Sequence, residues 1–200
     1  MAYSNALYIE AFNNDRTHPN IWKKVLLLIV FIIIQTALST FSVDYTKILT
    51  EQGLTETQAQ QSAPFVMGVS VMGAVIASLV VVGLTYVITL IIYKIFKKVL
   101  SKKAIFSAVL RYYNTILAVM VFILVIQLLF RLDITTVKID SLNIFAPGNT
   151  FLGALSLTNL LTGWLFGVML HSNGHLSAKW SWIFSVVVFI LCVGLTAISA

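Results

Sequence analysis

The charged residues of this chain are confined to short stretches, and that pattern constrains its fold more than any other feature. Five apolar blocks, at about 25–42, 65–93, 105–130, 150–170 and 183–200, hold one charged side chain between them, Arg111. Crossing a hydrocarbon core takes roughly 20 apolar residues as helix. The blocks lack the polar stripe that gives a soluble helix its wet face. Of the 200 residues 59% are hydrophobic and only 10% charged, against about 25% charged in an ordinary soluble domain. The expected fold class is therefore all-α, a polytopic membrane bundle of five transmembrane helices. An amphipathic cytoplasmic segment, 1–24, precedes a transmembrane domain, 25–200.

No cleavage pattern of a secretory signal accompanies the first apolar block, so that helix is expected to stay in the protein. Tyr3, Leu7 and Ala11 share a helical face, with Tyr8 and Phe12 beside it, and predict an interfacial helix over 3–12 that ends before Pro19. Trp22, Lys23 and Lys24 then form an aromatic and basic anchor at a membrane surface. Between the first two blocks, Thr55 with Gln58 three positions on reads as a helix cap. The single cysteine, Cys192, sits in the last block and is expected to pack as a small apolar side chain.

Orientation follows from the cations. A cytoplasmic N-terminus places Arg16, Lys23, Lys24, Lys94, Lys97, Lys98, Lys102, Lys103, Arg111 and Lys179 inside, and leaves Lys47, Arg131 and Lys138 outside. The bias of basic residues to the cytoplasmic side favours this arrangement, with the C-terminus outside. It also accounts for the net charge of +6 without a nucleic-acid partner.

The candidate functional residues fall into three groups. Ser70, Gly73, Ala74, Ala77 and Ser78 in the second block, and Gly163 and Gly167 in the fourth, let helix backbones approach closely. They predict helix-packing faces, whose partner is either this chain or another membrane protein. Gln35, Asn114, Gln127 and Asn159 are the uncharged polar residues of the blocks, suited to interhelical hydrogen bonds or to lining a substrate path. Lys94, Lys97, Lys98, Lys102, Lys103 and Arg111 can meet lipid headgroups or a cytosolic partner, with Arg111 reaching outward from its span. His171 and His175 stand four apart, but Asn173-Gly174 between them reads as a turn, and no metal or other cofactor is expected. No phosphate-binding loop, metalloprotease motif or nucleophile elbow occurs. An enzyme would have to draw on loop residues such as Asp133, Asp140 and the two histidines, and none is expected.

The layout resembles the Yip1 family in its bacterial form. His18-Pro19-Asn20-Ile21-Trp22 precedes the first span, and a long second span ends in a basic patch. Val109-Leu110-Arg111-Tyr112-Tyr113 opens the third, and Leu160 to Leu170, with Trp164 and Gly167 inside, marks the fourth. A short polar loop then leads into the last span. The Thr/Gln-rich first outer loop and the Arg-Tyr-Tyr run depart from the family's usual pattern. The resemblance implies five helices, a cytoplasmic N-terminus and a non-enzymatic role. That role is a membrane scaffold or accessory protein in the bacterial cytoplasmic membrane, assisting a complex such as a multicomponent ABC exporter. Alternatives are a small transporter or lipid-handling permease, or a toxin-immunity membrane protein.

Overall fold

A computed structural model describes residues 8–132 and 137–199, without the side chain of Ser199. Its regular elements are all helical: α1 (Ile9–Thr17), α2 (Ile21–Phe41), α3 (Tyr45–Glu51), α4 (Glu56–Ile95), α5 (Lys102–Leu129), a 3₁₀ turn (Leu142–Phe145), α6 (Thr150–Ala154), α7 (Leu157–Gly174) and α8 (Ala178–Ser199). Among the described residues, four helices, α2, α4, α5 and α8, are long and apolar enough to cross a membrane. Their outer faces carry Leu26, Ile33, Met72 and Ile190, each more than half exposed. Apolar surface this continuous is stable against lipid rather than water. The chain is a helical membrane protein.

Polar residues set where the helices begin. Asn20 accepts from the Lys23 amide and starts α2 four residues ahead of the expected position. Ser101 does the same for α5 through Ala104, and Ser156 for α7 through Asn159. Thr55 and Gln58 form a reciprocal capping box, so α4 starts at Glu56, well before the expected 65. At 40 residues and 1.5 Å per residue it is about 60 Å long, twice the hydrocarbon thickness. Three helix ends share one device. Lys97, Arg131 and His175 take left-handed backbone at φ 52°, 52° and 47°, and the next amide returns to an upstream carbonyl, Lys98 to Tyr93, Leu132 to Gln127 and Leu176 to Leu170. Glycine is the usual occupant of that position. A basic residue there also meets the negative end of the helix dipole.

The expected fourth span differs most from the structure. It is interrupted at Leu155 and Ser156, which separate the short α6 from α7. Half of the 18 residues of α7 are buried, and it packs closely on α8 and also against α5. Its Thr158, Asn159, Ser172 and Asn173 face protein, which is why it is less apolar than the other four. The last helix starts at Ala178 rather than 183, which reduces the expected loop to three residues.

The helix expected over 3–12 lies partly outside the described residues. Residues 1–7 lie outside the described set, and the described helix runs from Ile9 to Thr17. Helix α1 packs across α5 and α7. Phe12 enters the core there with Tyr93, Leu110, Met169 and Leu170.

Candidate functional site

Phe12 and Asp15 stand three apart on α1 and so share a face. That face points inward, leaving Phe12 0% and Asp15 1% exposed. The Asp15 carboxylate lies between two cations from different helices. Lys24 Nζ on α2 donates to Oδ1. Arg111 on α5 donates through Nη2 to Oδ1 at 3.0 Å and through Nε to Oδ2. This fork matches the planar geometry of a carboxylate. Lys24 Nζ also donates to Ser107 Oγ at 2.6 Å and to the Ser107 carbonyl at 3.1 Å, which uses all three of its hydrogens. Asn114 Nδ2 donates to the Lys24 carbonyl at 2.9 Å, and Asn173 Nδ2 on α7 to the Phe12 carbonyl at 3.4 Å. One cluster thus joins α1, α2, α5 and α7.

A buried charge is costly unless paired and hydrogen-bonded, and here each charge has a partner. Both oxygens of Asp15 accept from cations, Oδ1 from Lys24 and Arg111 and Oδ2 from Arg111. The cluster is suited to holding the N-terminal segment on the bundle. Sequence reasoning missed Asp15 and assigned its partners elsewhere. Trp22, at 85% exposure, and Lys23 face outward, but Lys24 is buried. Arg111 turns to Asp15 rather than reaching out with its whole guanidinium. The sequence offered only a faint signal, that Asp15 shares a helical face with Phe12.

The two sets of small residues behave differently. A Cβ on Gly163 would fall 2.7 Å from the Ser185 carbonyl oxygen, and one on Gly167 2.8 Å from Ser185 Cβ. These glycines therefore form the seam between α7 and α8. Ser70, Gly73, Ala74 and Ala77 are exposed, and a Cβ on Gly73 would meet nothing within 4 Å. At these four residues the face of α4 is open among the described residues. Ser78, half-buried, returns its hydroxyl to the Ala74 carbonyl at 2.9 Å. Gly174 makes a close contact that the sequence did not reveal: a Cβ there would fall 2.7 Å from Tyr93 Oη, inside the ring's own volume.

Gln35, Gln127 and Asn159 line a cleft of about 310 Å³ at the far end of the bundle from α1, together with Lys138 and Asp140. Most of the polar groups there already have partners. Gln127 Nε2 donates to the Val137 carbonyl at 2.6 Å and Asn159 Nδ2 to the Ala154 carbonyl at 2.8 Å. Asp140 Oδ2 accepts from Thr158 Oγ1 at 2.6 Å. Asn114 belongs to the ion cluster instead. His171 Nδ1 pairs with the Leu176 carbonyl at 2.8 Å in the turn after α7, and His175 is exposed as the left-handed cap. Asp133 lies outside the described residues. Lys94, Lys97, Lys102 and Lys103 are exposed around the turn between α4 and α5, and Lys98 is half-buried.

Comparison with family models, with curated proteins and with solved structures finds no match.

Proposed function

We propose that the chain is a non-enzymatic integral membrane scaffold or accessory protein of the Yip1-like type. It would reside in a bacterial cytoplasmic membrane and pack against another membrane protein, such as a subunit of a multicomponent ABC exporter. The observation that carries this reading is the open small-residue face of α4. Close backbone approach at small residues is how helices associate in lipid, and among the described residues no helix of the chain lies upon this face. The engaged carboxylate of the ion cluster is consistent with a structural rather than a chemical role.

In this reading the chain crosses the membrane five times, N-terminus inside and C-terminus outside. Support for α7 as the fifth crossing comes from its two ends. Thr158 bonds Asp140 at the far end, while Asn173 bonds the Phe12 carbonyl beside α1. At 18 residues it spans about 27 Å, close to the hydrocarbon thickness. The cation distribution supports the direction. Reporter fusions at each terminus test the topology, and an extracytoplasmic N-terminus overturns it. Affinity purification in mild detergent tests the role. Enrichment of a membrane protein that is lost with Gly73→Leu is expected, and a chain that purifies alone and monodisperse refutes it.

The far-end cleft favours a second reading, a small transporter or lipid-handling permease with a path past Gln35, Gln127 and Asn159. Labelling of Gln127→Cys by a water-soluble thiol reagent from both sides of the membrane would support it. Labelling from one side only, or none, counts against a path.

A further inference from the structure

The ion cluster has an outward side that the scaffold role does not use. Two cations meet one carboxylate, so the group carries an uncompensated positive charge. Lys24 has no hydrogen left to donate, but Arg111 does: the bonds to Asp15 use Nε and one hydrogen of Nη2, leaving Nη1 without a partner among the described residues. The Arg111 side chain is 25% exposed, and it opens onto a groove of about 410 Å³ between α2 and α5. Below the cations, Leu27 and Phe31 line one wall and Ala118, Val119 and Phe122 the other, with Tyr8 at the mouth. The geometry points to a binding site for one anionic glycerophospholipid, its phosphate on the free edge of Arg111 and one acyl chain along the groove.

Length and charge both fit that occupant. Arg111 to Phe122 is eleven residues of helix, about 16 Å, which is half the roughly 30 Å hydrocarbon core and so the depth of one leaflet. The cations stand at headgroup level: α2 begins only three residues before Lys24, and α5 has 18 residues, about 27 Å, between Arg111 and its last residue Leu129. A guanidinium with a free edge is a good phosphate donor. A zwitterionic lipid brings its own ammonium and no net charge to match the cluster, whereas an anionic lipid does. The site requires only that the helices sit in lipid, and it stands whether or not a protein partner docks on α4.

Native mass spectrometry of the full-length protein released from detergent tests this, with phosphatidylglycerol and phosphatidylcholine of matched chains offered at equal concentration. One matched charge near the surface predicts about fivefold greater retention of phosphatidylglycerol. Arg111→Gln removes the preference. Ala118→Phe, or Val119→Phe on the same wall, also removes it by filling the groove while leaving the ion cluster intact. The double variant Lys97→Gln/Lys98→Gln keeps it, and inorganic phosphate does not displace the lipid. Equal retention of the two lipids overturns the proposal, as does a preference that survives both groove variants. So does a preference that follows the hinge lysines, which would mark diffuse attraction. Displacement by inorganic phosphate would reduce the site to an anion contact without an acyl groove.

Discussion

Asp15→Ala is the most informative single change in this protein. It removes one small side chain and leaves the buried Lys24 facing the partly exposed Arg111, because the two cations share that carboxylate. Lys24 keeps its bonds to Ser107, and the partly exposed Arg111 regains some hydration, so the loss is less than two isolated buried charges would cost. Removing one partner of a buried pair typically costs about 3–5 kcal/mol, and that is the expected loss here. Two assays read it. The fraction of monodisperse protein surviving a heating series in detergent falls at lower temperature. Trypsin also cuts after Arg16 faster, because α1 detaches from α5 and α7. Raising the salt concentration rescues neither effect and barely changes the wild type, since buried pairs are poorly screened. The triple variant Asp15→Leu/Lys24→Met/Arg111→Met returns most of the stability, because a well-packed apolar substitute for a buried ion cluster is often neutral. An Asp15→Ala protein with wild-type melting and wild-type cleavage at Arg16 would refute the reasoning.

Other substitutions test the packing. Gly174→Ala forces the Tyr93 ring to move and should cost about 1–3 kcal/mol as overpacking, with partial rescue by Tyr93→Leu in a double-mutant cycle. Gly167→Leu should separate α7 from α8 and lose monodisperse protein, whereas Gly73→Leu on the open face of α4 should melt within about 0.5 kcal/mol of wild type. Thr55→Ala removes the capping box of α4 and should cost about 1 kcal/mol, read as faster amide exchange confined to the first turns after Glu56.

Much of the bundle was legible because lipid-facing helices must be apolar along their length. The apolar blocks at α2, α4, α5 and α8 could hardly fold otherwise, and the Thr55 cap could be read from two residues. Helix ends were less legible. Asn20 and Ser156 start helices inside what composition alone treats as loop or span. The apolar criterion is weakest for α7, because a helix enclosed by protein can carry Asn159, Ser172 and Asn173 without cost from lipid. The ion cluster was hidden for a different reason. Its three charges lie at positions 15, 24 and 111, and no spacing rule connects residues that only tertiary packing brings together. Small-residue spacing was ambiguous too: it marks a close approach without saying to what. Gly163 and Gly167 meet α8, whereas a Cβ on Gly73 would meet nothing among the described residues and Ala74 is exposed.

That open face is where the account is most directly testable. A photo-crosslinking residue placed at Ala74 or Ala77 in cells, with Leu165 as a buried control, reports what lies against α4. The account predicts discrete adducts to a second membrane protein from positions 74 and 77, none from 165, and loss of the adducts with Gly73→Leu. Crosslinking from Ala74 and Ala77 to lipid alone would contradict it.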